Sequence, residues 1–428
     1  MDKSLGQKIR EWRMRKGITQ TELAEGLVTP SMISQIESDK ANPSFKLLEG
    51  ISRKLNVPID EFLMDMQEQL EEDTRYKLAK SLMGSKDYAK AIQVLESLQG
   101  TDETHVDEIK VDLADAYVHS KNFEKAYSIL EGMLDDVALE RDRSKAVLLY
   151  RKLGWAKILA SDYVMAKHYL NQSLKELSRS TDVSAEQQGN LFSNYALTLS
   201  YLGEATDALV FYKKAIEAYQ SSSNLLFLGM SYQGLANTYY RLEDYKQAAD
   251  TTRTAITMFR SVNDKLHEIT SKMNYGIIQY ELGHFQEAIT IFQDCIQEFN
   301  SKEETELVAN AYGEMGIVHF RMKDSHEAEK WCFRALELLP AEHRERAFVY
   351  RTLGQMYQEL QNYDRSLEYM LSSVALFEKF SLLSEASKCY AQIVSIYQAR
   401  GELDKASEYM QKMTTSLQQG LRVRGLFL

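Results

Sequence analysis

Leu353-Gly354-Gln355-Met356-Tyr357-Gln358-Glu359-Leu360-Gln361-Asn362-Tyr363-Asp364-Arg365-Ser366 places two small residues, Gly354 and Ser366, twelve positions apart, with an aromatic three residues before the second. The spacing recurs along most of the 428-residue chain. The later small position is Ala91, Ala126, Ala166, Ala208, Ala248, Ala288, Ala328, Ser366 and Ala406; the earlier is Ala79, Ala114, Gly154, Ala196, Ala236, Gly276, Gly316, Gly354 and Val394. Nine copies at intervals of 35 to 42 residues make a repeat array. Two antiparallel helices approach closely only where side chains are small, so the paired positions mark where a first helix, A, crosses a second, B. Tyr88, Phe123, Tyr163, Tyr245, Phe285 and Tyr363 then fill the wedge at the start of helix B, and Gly203, Gly283 and Gly401 supply the positive φ that ends helix A.

Composition agrees. Only 4 prolines and 20 glycines punctuate a chain that is 44% hydrophobic and 26% charged, which excludes an all-β protein and long disorder. One hairpin cannot bury its apolar face alone, so neighbours stack into a solenoid. The residues quoted above resemble the tetratricopeptide repeat, and a period near 40, against 34 for the common form, predicts helices about a turn longer or longer turns between repeats. The expected fold is all-α: an N-terminal helix-turn-helix domain over 1–66, then a right-handed α-solenoid of about nine tetratricopeptide-like hairpins over 67–428 that carries regulation, peptide binding and oligomerisation.

Residues 1–66 stand outside the repeat register and hold three of the four prolines. Apolar residues at 5, 9 and 12 predict a first amphipathic helix. Thr19 and Glu22 form an S/T-x-x-E capping box that starts a second, and Thr29 followed by Pro30 starts a third. Ser44 caps a fourth, whose buried face is Leu47, Leu48, Ile51 and Leu55. From Ile59 to Met83 there is neither Gly nor Pro, which predicts a helical junction and not a loose tether.

This head is similar to the helix-turn-helix of the XRE or Cro/CI type, on Thr19-Gln20-Thr21-Glu22-Leu23-Ala24, Ile33-Ser34-Gln35-Ile36-Glu37 and Asn42-Pro43-Ser44. The resemblance implies that Gln20 holds a phosphate and that Pro30, Ser31, Met32, Ser34 and Gln35 face the bases, with Thr29 and Lys40 completing the DNA-binding set. Gln35 reads an adenine edge in that assignment, and Arg13 with Glu37 is an internal ion pair. The formal charge of −11 argues against a nucleic-acid binder only when taken whole. The head holds ten basic and ten acidic residues, and its first sixteen positions hold six basic against two acidic, which suits phosphates. The acidic excess belongs to the array. A single neutral head binds DNA weakly, so tight operator binding implies a dimer.

In the array, the outward positions of helix A predict a concave groove bearing Arg151, Lys152, Asn190, Asn194, Gln233, Asn237, Asn274, Asn310, Arg351 and Gln355. Asparagine amides grip both N–H and C=O of an extended backbone, so such a row suits a short peptide. Cys295 and Cys332 fall on apolar helix B positions and are expected in the core. No metal-ligand cluster, cofactor motif or catalytic motif is present, and neither a long apolar run nor a signal sequence occurs, so the expectation is a cytoplasmic protein that is not an enzyme and has no cofactor.

Head and array together resemble the RRNPP family of peptide-responsive quorum-sensing regulators, most closely in layout its NprR-like members. The resemblance implies a transcription regulator that binds double-stranded DNA as a homodimer or higher oligomer and is gated by a short signalling peptide in the groove. It leaves open a repeat-domain scaffold or phosphatase-type partner of a response regulator, and a regulator that senses a protein.

Overall fold

Side-chain caps decide where the helices begin, and residues in the left-handed region decide where the first helix of each repeat ends. The computed structural model describes residues 4–98, 105–140, 142–300 and 304–423. Those residues form 22 helices and no strand, in two compact units, Met1–Met133 and Leu134–Leu428.

The first unit contains α1 (Leu5–Arg15), α2 (Gln20–Ala24), α3 (Pro30–Glu37), α4 (Phe45–Leu55), α5 (Asp60–Gly84), α6 (Tyr88–Leu98), α7 (Val106–His119) and the start of α8 (Phe123–Glu140). The capping box is formed: the Glu22 N–H donates to Thr19 Oγ1 at 3.2 Å and the Thr19 N–H to Glu22 Oε2 at 2.6 Å. Thr29 caps α3 with Pro30 at its first position, and Ser44 caps α4. Leu5, Ile9, Leu23, Ile33, Ile36, Leu48, Ile51, Leu55 and Phe62 form the core of these helices. Gly6 lets α1 lie against the end of α3, since a Cβ there would sit 2.1 Å from the Ile36 carbonyl oxygen. The predicted helical junction is α5, 25 residues long and unbroken through residue 66. The division at 66 is therefore a functional proposal with no backbone break behind it; the compact unit ends at Met133.

The second unit continues with α9 (Arg143–Leu159), α10 (Tyr163–Leu177), α11 (Ala185–Leu202), α12 (Ala205–Ser222), α13 (Leu225–Arg241), α14 (Tyr245–Ser261), α15 (Lys265–Glu281), α16 (Phe285–Asn300), α17 (Thr305–Arg321), α18 (Ser325–Leu338), α19 (Arg344–Glu359), α20 (Tyr363–Lys379), α21 (Leu383–Ala399) and α22 (Leu403–Val423). Each odd-numbered helix packs on the even one that follows, and each even one on the next odd one. With α5/α6 and α7/α8, the described residues hold nine hairpins, in the predicted register. Ser366 Oγ donates to the Gly354 carbonyl at 2.7 Å, so the two small positions of that repeat touch. At Gly316 a Cβ would lie 2.5 Å from Cys332 Sγ. Cys295 and Cys332 are buried, as expected of helix B positions. Helices of 14 to 18 residues from α9 to α21 account for the long period.

The turns are more uniform than glycine alone suggested. Gly203, Gly283 and Gly401 have φ of 87°, 85° and 75°, and the equivalent Lys86, Lys121, Ser161, Glu243, Lys323 and Gln361 also adopt the left-handed region, at 59° to 65°. The next residue caps helix B in several repeats; Asp162, Asp244, Asp324 and Asn362 each accept the backbone N–H three positions on at 3.2–3.3 Å.

Candidate DNA-binding face and solenoid groove

In the head, α3 turns Ile33, Ile36 and Glu37 inward, and its other face is open. Thr29, Pro30, Ser31, Met32, Ser34, Gln35 and Lys40 are all exposed, which groups seven of the eight predicted DNA-contacting residues on and beside one helix. Gln20 is the exception: its amide nitrogen donates to Glu37 Oε2 at 2.8 Å. Its side chain is therefore committed to Glu37. Glu37 is a hub, since Arg13 binds it in bidentate fashion, Nε to Oε1 at 2.5 Å and Nη2 to Oε2 at 2.9 Å. Arg13 Nη1 also donates to the Ile18 carbonyl at 2.9 Å, tying α1, the turn before α2 and the end of α3 together. The hydrogen bonds from Arg13 to Glu37 raise the guanidinium pKa further, outweighing the opposing effect of burial. The pair is structural, and it fixes the angle at which α3 is presented.

In the solenoid, the ten predicted groove residues all lie on odd-numbered helices and are at least partly accessible. Those helices touch along one side of the array, α9 with α11, α11 with α13, α15 with α17, α17 with α19 and α19 with α21. A cavity of about 190 Å³ opens between α15, α17 and α19, and it takes Asn274 and Asn310 from the predicted set. Its volume lies below the ~300–1,000 Å³ of small-molecule sites, so it suits one side chain and not a whole ligand. Asn190 and Arg351 are already engaged. Asn190 Oδ1 accepts from the buried Tyr219 hydroxyl at 2.8 Å. Arg351 pairs with Glu385 and lies over the Phe348 and Phe377 rings at 5.2 and 5.7 Å. Arg151, Lys152, Asn194, Gln233, Asn237 and Gln355 lie on the same helices but do not line this cavity.

The cavity also contains residues that sequence reasoning missed: Glu314, Glu345, Phe348 and Thr352. Glu314 falls two residues before Gly316, as Asn274 does before Gly276 and Lys152 before Gly154. The repeat register is the sequence signal that marks it, although it is neither an amide nor a cation. Burial, with the nearby Glu345 and Glu281, pushes the Glu314 carboxyl up to about 7, against the opposing Tyr280 hydroxyl and Arg351.

By sequence, the helix-turn-helix family matches residues 9–62, and tetratricopeptide-repeat families match 82–148, 187–261, 271–299 and 307–379. No curated protein sequence matches this chain. Among solved structures it is similar to the apo form of RapI, at 10% identity and a TM-score of 0.62, over 83% of this chain and 99% of that one. It is also similar to a Rap protein complexed with Competence and Sporulation Factor, at 11% and 0.56 over 82% and 99%. The apo form of the quorum sensor NprR from B. thuringiensis aligns at 17% and 0.54 over 81% and 99%. At these identities the likeness is one of fold.

Proposed function

We infer that this chain, a helix-turn-helix protein with a tetratricopeptide-repeat solenoid, is a DNA-binding transcription regulator of the RRNPP type, gated by a short peptide in the groove of its solenoid. One observation carries the reading: a capped helix-turn-helix with an open α3 face occurs in the same chain as a solenoid groove containing polar side chains, with a side-chain-sized cavity beside Asn274 and Asn310. The fold neighbours support it, one being a quorum sensor and another complexed with Competence and Sporulation Factor. No helix among the described residues is long and apolar enough to cross a membrane, which is compatible with action on DNA. We assign base contacts to Ser31, Met32, Ser34 and Gln35, and backbone positioning to the N-terminus of α2 and to Lys40. A homodimer on two half-sites supplies the affinity that one head lacks.

Selection of the full chain against random double-stranded DNA, with and without a random heptapeptide pool, tests both halves of this reading. An enriched two-half-site motif whose occupancy changes with peptide is expected. No enriched motif overturns the DNA assignment; a motif indifferent to every peptide overturns the gating.

A further inference from the structure

Residues at the position two before the early small residue of each repeat compare directly. Asp112 and Glu314 share it, and both are carboxylates that accept a tyrosine hydroxyl from the preceding A helix: Tyr76 at 2.8 Å for Asp112, Tyr280 at 3.3 Å for Glu314. Asp112 also has a counter-ion, Lys80 Nζ at 2.8 Å. Glu314 has no cation within 4 Å among the described residues, and the basic groups around it are committed elsewhere. Arg351 pairs with Glu385, Arg321 with Glu281 at 3.3 Å, and Arg344 with Glu345 at 2.7 Å. One turn away on the same face of α17, Asn310 presents a buried Oδ1 that has no hydrogen-bond partner. A carboxylate without a counter-ion and an amide oxygen without a donor therefore meet at one cavity, whose apolar wall is Ile277, Ile317, Phe348 and Val349.

We propose that this part of the groove is a subsite for a basic group of the bound peptide, and that Glu314 is the residue that selects it. The inference rests on the peptide-receptor reading above and deepens it. An ammonium or guanidinium is all donor, which matches Glu314 and Asn310. Its methylene stem packs on the isoleucines and Phe348. The groups facing Glu314 are Tyr280 and Glu281 from α15, Glu345 and Arg351 from α19, and the more distant Tyr240 from α13; Arg321, on its own helix, acts on Tyr280 and Tyr240. With Arg321, Arg344 and Arg351 each paired to a carboxylate, Glu281, Glu345 and Glu385, the unneutralised carboxylate is Glu314. Without a ligand the carboxyl is half protonated near neutrality; arrival of a cation releases that proton.

The test uses full-length protein and labelled heptapeptide pools, each with lysine, arginine, norleucine or glutamate fixed at one position in turn, with free or acetylated N-termini. Fluorescence polarisation is read at pH 5.5 and 8. Lysine or arginine pools should bind about tenfold or more tightly than norleucine pools at pH 8. The preference should shrink at pH 5.5 and vanish in Glu314→Gln. Acetylated pools separate the sources: a preference that survives acetylation comes from a side chain, and one for free over acetylated norleucine pools comes from the α-amine. Binding with no preference for either cation, or an equal preference in Glu314→Gln, overturns the subsite and leaves the receptor reading standing. If no pool binds wild type at all, the receptor reading falls and the subsite with it. The pH comparison on wild type needs no variant, so a misfolded Glu314→Gln still leaves a decisive measurement.

Discussion

The α3 face and the α15–α17–α19 cavity present polar side chains in opposite ways. On and beside α3 the exposed set falls within twelve consecutive residues, Thr29 to Lys40, on a helix started by Thr29 and Pro30 and held at its end by Arg13 and Glu37. In the cavity Asn274, Glu314 and Thr352 arrive from three repeats, about 40 residues apart, and the space they share lies between α15, α17 and α19. A local element carries its chemistry with it, whereas a groove acquires its chemistry from stacking. Hence the same type of residue can be a cap, a core pair or an unneutralised charge, depending on what the neighbouring repeat supplies.

The contrast can be broken most forcefully at Glu37. Glu37→Ala leaves the Arg13 guanidinium buried without its partner and should cost the head about 3–5 kcal/mol, seen as an early step in chemical unfolding that the solenoid does not share. A single unchanged transition would show that the pair is not what holds α3. Gln35→Ala should next lower affinity for a selected operator by about 1–3 kcal/mol while sparing random DNA; equal losses would remove Gln35 from base reading.

In the groove the sign of the pH dependence is the diagnostic. Glu314 has a folded pKa of about 7 against an ordinary 4.5, so the native state holds the proton more tightly, and the stabilisation present at low pH is lost as pH rises through 7. Glu314→Gln should therefore raise stability at pH 8 by about 2 kcal/mol, allowing for partial exposure, and change little at pH 4. A melt in which Glu314→Gln destabilises equally at both values would contradict the absence of a counter-ion. Glu268, with 2% of its side chain exposed, is the opposite case: Arg260, Lys265 and Lys272 surround it and hold its carboxyl down at about 2, so its contribution is present above pH 4.5 and fades as pH falls towards 2. The smallest effect is at the turns. Gln361→Gly relieves a left-handed residue at φ 59° and should stabilise by about 0.5 kcal/mol, the relief being partly offset by glycine's entropy in the unfolded chain.

Much of this was legible because its causes are local or periodic. Thr19 with Glu22, and Thr29 with Pro30, start their helices from within four residues, and Gly354 with Ser366 declares a helix crossing by spacing alone. Glu314 was harder to recognise, since its character comes from Tyr280, Glu345 and Glu281 on helices before and after it. The Gln20 side chain was not legible either, since it turns to Glu37, a partner 17 residues away.

By itself the sequence determined the elements, the nine-fold register and the face of α3, because caps, turn residues and small positions act over distances the chain covers within one repeat. Only the tertiary structure decided which carboxylates are neutralised, which arginines are spent on neighbours and where a cavity opens. Those depend on desolvation and on charges brought together from separate repeats, and a carboxylate in the sequence looks the same whether or not a lysine will stand beside it.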